Sequence, residues 1–397
     1  LIYRKNTTHK SHPTGGFCFL LAFIYCNNST LKSRIIIVFV SAALGLCIAE
    51  FILQYIKIKT ESEFVWQPGL NTLFEPDSSI FIGISGTKHF TINQQGTRGE
   101  IFERSTTNYL CVGGSTTECL YLDDSETWPA KLGDCLNSEK NKVASIGKSG
   151  CTTTENYLHI KYFVPQLKTV SNVIVMCGLN DLMHLLSTGE SCSVNDSIEM
   201  VIYNEIFLNE EKTKKGWRKF EILVLLRHLL FAKNKTENWK IQDPKGTIYN
   251  TWRSNRANCK QFIDTLPNLS ADLNNFENNL ELIYNETQKQ GVKLTLVNQT
   301  TLYKDSMNNF EEGLLWMGGI GDFQKNTNHA YYTTKVLLQA VDLYNNRMME
   351  FCSKHKDIQF IDIACVLPKD TTVFYDDCHF NQSGAEKVAA VICSQIR

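Results

Sequence analysis

The chain has 397 residues, 43% of them hydrophobic, and sets 40 basic against 41 acidic side chains for a net charge of −1. So even a balance offers no field to a polyanion, and a nucleic-acid partner is not expected. With 8 prolines, this length suits one large α/β domain plus an appendage.

Residues 1–34 open on Leu1 and carry a short apolar stretch, 15–26, too short to span a bilayer. They are expected to be non-native upstream translation or a fragment end and are set outside the fold. Residues 35–56 are apolar apart from Ser41, Glu50, Gln54 and two small residues. At ~1.5 Å per residue such a run crosses the hydrocarbon core, so a single-pass membrane anchor is expected, with the following domain extracytoplasmic. The competing reading is a buried helix or an uncleaved signal-like segment, because Glu50 and Gln54 lie near the end of the run. Lys32 and Arg34 before it and Lys57 and Lys59 after it leave the orientation unfixed by charge.

Residues 57–90 hold Pro68, Pro76 and several glycines without a helical period, which predicts a linker and lead-in to a domain over 91–397. Apolar runs predict strands at 109–112, 143–146, 173–177, 292–297 and 358–363, the first stopped by two glycines as a centrally buried strand would be. Helical spacing predicts helices at 155–170, from Asp272 as N-cap to Gly291, at 331–355 and at 383–396. Strand and helix alternate. The expected fold is therefore a three-layer α/β/α sandwich with a mostly parallel five-stranded sheet, whose ligands bind beyond the carboxyl ends of the strands. The long polar stretch of about 183–267, with a helical piece near 220–231, predicts an insertion over that face, either a substrate-selecting lid or an accessory bundle.

Fourteen cysteines form no C-x-x-C pair and show no Cys/His zinc spacing, so neither a metal nor another cofactor is expected. Cys111, Cys177 and Cys365 are expected in core strands, and a few others can pair if the domain is exported.

Four separated segments carry the chemistry: Gly113-Gly114-Ser115-Thr116-Thr117-Glu118, Ser149-Gly150, Gly178-Leu179-Asn180-Asp181 and Asp376-Asp377-Cys378-His379-Phe380-Asn381. A serine hydroxyl is a weak nucleophile at neutral pH. It needs a base, a group that orients the base, and donors for the developing oxyanion. Ser115, His379, Asp376, Gly150 and Asn180 can fill those posts. Asp377 competes with Asp376 as orienter, and Gly147 is an alternative to Gly150. Cys378 has no separate base to make it a nucleophile. Asp181, Trp128 and Arg98 are assigned to structure: loop hydrogen bonding, core packing and a surface or linker contact.

In this order and near these spacings, the four blocks resemble the SGNH hydrolases, also called the GDSL esterase and lipase family. The resemblance runs from about Phe90 to the C-terminus and takes in Phe90-Thr91-Ile92-Asn93, Gly96-Thr97-Arg98-Gly99, Thr127-Trp128-Pro129 and Phe374-Tyr375. It implies a flavodoxin-like fold, Asp376 rather than Asp377 as orienter, and an oxyanion hole from the N–H groups of Ser115 and Gly150 with the side-chain amide of Asn180. Most members have aspartate where this chain has Gly114. The implied activity is a metal-independent ester hydrolase working through an acyl-serine intermediate on an ester-bearing small molecule, glycan or lipid. Two alternatives stay open: an O-acyltransferase to a glycan acceptor using the same site, and a catalytically silent binding protein on the same fold.

Overall fold

In the computed structural model the described residues are 31–60, 63–136, 139–194, 196–207, 241–321 and 330–396. The helical piece expected at 220–231 and the segment 1–30 lie outside them. Helix α1 (Leu31–Thr60) covers the apolar run and continues past both its ends. No residue of its Ile35–Ile52 stretch is buried, and by length and composition the helix is able to cross a membrane. It belongs to a separate compact unit from the domain that starts at Ser62.

The domain opens with β1 (Asn71–Phe74) paired antiparallel to β2 (Lys88–Thr91). Val65, Trp66, Phe81 and Phe90 are buried in the main hydrophobic core, so residues from Glu63 onward, read from sequence as lead-in, are packed structure. A two-residue strand, β3 (Arg98–Gly99), precedes the central strand β4 (Thr107–Gly113). Then follow the single turn α2 (Ser115–Glu118), α3 (Trp128–Cys135) and β5 (Asn141–Ser145). Helix α4 (Thr153–Leu158) runs on through a π-helical turn, His159–Phe163, to β6 (Asn172–Met176).

The insertion supplies α5 (Leu179–Thr188), α6 (Asp196–Ile206), α7 (Thr247–Ala257) and β7 (Gln261–Ile263). Helix α8 (Ser270–Gln290), β8 (Lys293–Val297), a short α9 (Asn309–Glu312) and β9 (Ala330–Tyr332) come next. Strands β7 and β9 pair with each other in a small parallel sheet. Helix α10 (Thr334–Lys354), β10 (Gln359–Ile361) and α11 (Gln382–Ile396) close the chain.

The main sheet runs β10-β8-β6-β4-β5-β3. Its five expected strands are all parallel, and β3 adds an antiparallel edge on β5. Taken in chain order, the parallel strands lie 2-1-3-4-5, the doubly wound order of flavodoxin-like folds. Their buried stretches are mainly apolar because helices cover both faces, and polar residues such as Asn141, Lys142, Lys293 and Gln359 stand at the entry ends. Helices α3 and α11 pack together on one side, joined by a disulfide between Cys135 and Cys393. On the other side α8 packs against α4 and α10.

Three expectations change at element ends. Helix α8 starts at Ser270, so Asp272 lies in its first turn, where its carboxylate accepts the Ser191 hydroxyl. Strand β10 stops at Ile361 and leaves Cys365 exposed, its thiol donating to the Asp362 carbonyl. Arg98 is buried rather than at the surface. Its guanidinium bonds the carbonyls of Glu118, Cys119 and Leu122 and the carboxylate of Asp124, riveting the chain that follows α2.

Candidate active site

Where strand order reverses, between β4 and β6, the loops after the two strands part and leave a crevice. The chain turns sharply there. Gly113 has no room for a side chain, since a Cβ would lie 2.4 Å from Thr117 Oγ1 and 2.6 Å from the Met176 carbonyl. Gly114 caps the next turn, and Ser115 is its first residue. The N–H at such a position has no intrahelical acceptor. Trp128, buried as expected, pins the turn from below by donating its indole N–H to the Thr116 carbonyl at 3.1 Å.

The residues expected to cooperate meet here although 264 positions separate Ser115 from His379. His379 Nε2 lies 2.7 Å from Ser115 Oγ, and its Nδ1 lies 2.7 Å from Asp376 Oδ2. Asp376 is fully buried, and its oxygens are saturated: Oδ1 accepts the N–H groups of Cys378 and His379, and Oδ2 accepts the Trp316 indole N–H at 3.0 Å. Burial works against its charge, but the His379 ring and these donors outweigh it and hold the carboxyl below its usual range. For His379 burial favours the neutral ring, yet the Asp376 carboxylate prevails and raises the imidazole well above its ordinary value. A carboxylate on Nδ1 fixes the tautomer that leaves Nε2 able to accept a proton from the serine.

Asp377 points elsewhere. It takes the Trp316 N–H at 2.9 Å, the Met317 N–H at 3.3 Å and the Tyr303 hydroxyl at 2.8 Å, so it organises the 316–317 backbone. Burial first, then the neighbouring Asp376, pushes its carboxyl up. Cys378 Sγ is 3.8 Å from His379 Nδ1, and burial pushes the thiol up to about 11, which keeps it protonated at neutral pH. Asp376, Cys378 and His379 stand close enough to share a cation, but the aspartate oxygens are already spent on protein donors.

On the other flank, Gly150 and Asn180 line the same crevice as Ser115 and His379. Gly150 has φ +82°, a conformation that favours glycine. Asn180 Nδ2 donates one hydrogen to the Cys151 carbonyl at 2.8 Å, which leaves its second hydrogen for the crevice. The approach of Asn180 depends on Gly114: a Cβ there would stand 2.1 Å from Asn180 Nδ2. Gly147 is not part of this group, because its N–H is spent on Ser145 Oγ and a Cβ would strike the α2 backbone. Asp181 accepts the Thr153 N–H and hydroxyl, tying α5 to α4.

Three contributors were given no role from sequence, Glu118 although it ends the first block. Glu118, fully buried on α2, accepts the Ser149 N–H at 2.7 Å and the Ser149 hydroxyl, so the turn that presents Ser115 also braces the loop that presents Gly150. Trp316 comes from an irregular segment and Trp252 from the insertion, and neither sits in a motif. Only their residue type could have marked them. The crevice holds about 420 Å³, in the usual range for a small-molecule site, with Met183 and His184 of α5 and Tyr249 and Trp252 of α7 in its walls. Beside Ser115 and His379 lies a small recess of about 10 Å³, walled by Tyr121, Leu122 and Phe380.

No family model matches the sequence, and no curated protein matches it. Among solved structures, the chain is similar to a GDSL-like lipase from Bacteroides thetaiotaomicron, at 12% identity and a TM-score of 0.37 over 75% of this chain and 91% of that one. It is similar also to an acetylxylan esterase from Geobacillus stearothermophilus, at 12% identity and a TM-score of 0.38 over 74% of this chain and 96% of that one. Overlaps this low leave the chemistry to be argued from the site itself.

Proposed function

We propose that the chain is a serine ester hydrolase of the SGNH type, with Ser115 as nucleophile, His379 as general base and acid, and Asp376 as orienter. One observation carries this reading: the unbroken line Ser115 Oγ, His379 and Asp376, with both links at 2.7 Å. In the first half-reaction Oγ attacks the acyl carbon while its proton passes to His379 Nε2. The carbonyl oxygen gains the negative charge, to be met by the N–H groups of Ser115 and Gly150 and the free hydrogen of Asn180. The intermediate collapses, His379 returns the proton to the departing alcohol, and the acyl group stays on Ser115. Water then repeats the sequence, and its proton ends on the serine. No step calls for a metal or an organic cofactor.

Helix α1 supports a single-pass anchor. The Cys135–Cys393 disulfide supports a domain on the oxidising, extracytoplasmic side of the membrane. A fluorophosphonate should label Ser115 alone, by peptide mapping, and Ser115→Ala should lower 4-nitrophenyl acetate hydrolysis about 10⁴-fold or more. Equal turnover by both proteins would overturn the proposal. Acyl transfer to a glycan acceptor shares the first half-reaction, and product analysis with and without the acceptor separates the two.

A further inference from the structure

We infer that the alcohol half of the substrate is a pyranose, seated on the half-buried Trp252, which the buried Trp316 backs; this rests on the ester-hydrolase reading of Ser115. The crevice has two chemically different kinds of wall. Aromatic surface comes from α7 and the 316–319 strip, where the indoles of Trp252 and Trp316 lie 4.7 Å apart and tilted by 34°, with Tyr249 5.0 Å from Trp252. Polar groups come from the loop after β5 and from α5: Ser149, whose hydroxyl donates to Glu118 and can still accept, and His184, its ring exposed and without a hydrogen-bond partner among the described residues.

A sugar ring has the matching anisotropy. Its C–H faces are apolar and its rim is a belt of hydroxyls, so a flat indole takes the face while side-chain donors and acceptors take the rim. A long lipid chain is apolar all round and gains nothing from the polar wall. The shelf also stands where an ester's alcohol must lie, because Trp316 is hydrogen-bonded to Asp376 and stacked at 5° to the His379 ring.

The shelf is formed in advance. Arg253 on α7 bonds the carbonyls of Ile80, Leu314 and Tyr375, and Arg256 bonds those of Met317 and Tyr332. Two of these five bonds, to Leu314 and Met317, clamp α7 to the strip that carries Trp316, and the other three tie the helix to the chain at Ile80, Tyr332 and Tyr375. A surface held this way loses little entropy when a ligand lands on it.

The test compares two acetyl esters with free hydroxyls, one cyclic and one acyclic: 6-O-acetylglucose and 1-acetylglycerol. Trp252→Ala should lower the ratio of kcat/KM for the sugar ester over the glycerol ester at least 10-fold, while Trp252→Phe keeps it within about 3-fold. In the Ser115→Ala protein, 6-O-acetylglucose should shift the tryptophan fluorescence and 1-acetylglycerol should not, and adding Trp252→Ala should remove the shift. An unchanged ratio in Trp252→Ala, or wild-type preference for a long-chain monoacylglycerol over the sugar ester, overturns the inference. If wild type hydrolyses none of these esters, the ester-hydrolase reading fails, and sugar binding to Ser115→Ala still decides what the shelf holds.

Discussion

At the scale of single residues, the proposed chemistry turns on the proton between Asp376 and His379. The base works only when its ring is neutral, and the Asp376 carboxylate raises the ring above the ordinary 6.5. The neutral fraction therefore grows at higher pH than for a free imidazole, and kcat/KM should climb through a limb displaced above pH 6.5. Asp376→Asn removes the attraction and leaves burial, which favours the neutral ring, so the limb should move below that of wild type while the rate falls about 10⁴-fold. Profiles of kcat/KM from about pH 5 to 9 measure both changes, and a limb that stays in place in Asp376→Asn would separate the carboxylate from the base. Gly114 sets a second residue-scale condition. An alanine Cβ would lie 2.1 Å from Asn180 Nδ2, so Asn180 must retreat. Gly114→Ala should cost kcat about 10²–10³-fold, the usual loss for one oxyanion donor, with KM and melting temperature little changed.

At the scale of elements, α2 and the loop after β5 act as one part because Glu118 braces Ser149. Glu118→Ala would remove the buried acceptor that holds the exposed Ser149. It should cost about 0.5–1.5 kcal/mol in stability and lower kcat more than it raises KM, by denaturant unfolding and steady-state kinetics. Glu118→Gln keeps an acceptor and should recover most of kcat, a rescue that a purely packing role would not require. The contrast with the strands shows what sequence can carry. Strands β4, β5, β6, β8 and β10 were legible because a strand covered on both faces carries a short apolar run, and the glycines that end β4 and follow β6 marked the working end of the sheet. Ser115, Gly150, Asn180, Asp376 and His379 were legible because they lie in compact blocks. The aromatic shelf was not, since Trp252 and Trp316 sit where no period governs the sequence, and their partnership is made by two arginines bonding distant carbonyls. Asp377 was visible as a neighbour of Asp376, but its work on the Trp316 backbone depends on a fold contact across 61 positions. Asp272 looked like a cap because a carboxylate there is generic; its engagement with Ser191 across 81 positions is tertiary.

At the scale of the whole molecule, the Cys135–Cys393 bond ties the domain's last helix back to α3. It joins α3 to α11 within one helical layer across 258 positions, while the ten other described cysteines are free. Constraining the unfolded chain over so long a loop stabilises the fold by about 2–5 kcal/mol. Cys135→Ser with Cys393→Ser should therefore melt several degrees below wild type, and reductant should lower wild type toward the double variant without moving the variant further. Below the melting transition, ester turnover should persist in both, because neither sulfur touches the crevice and the other layer of helices still covers the sheet. The same bond reads out topology. If α1 crosses the membrane with the domain on the oxidising side, thiol trapping in intact cells should find Cys135 and Cys393 blocked from alkylation until reductant is added. A domain held on the reducing side would present both thiols to the reagent at once, and α1 would then have to be read as crossing in the opposite sense or not at all.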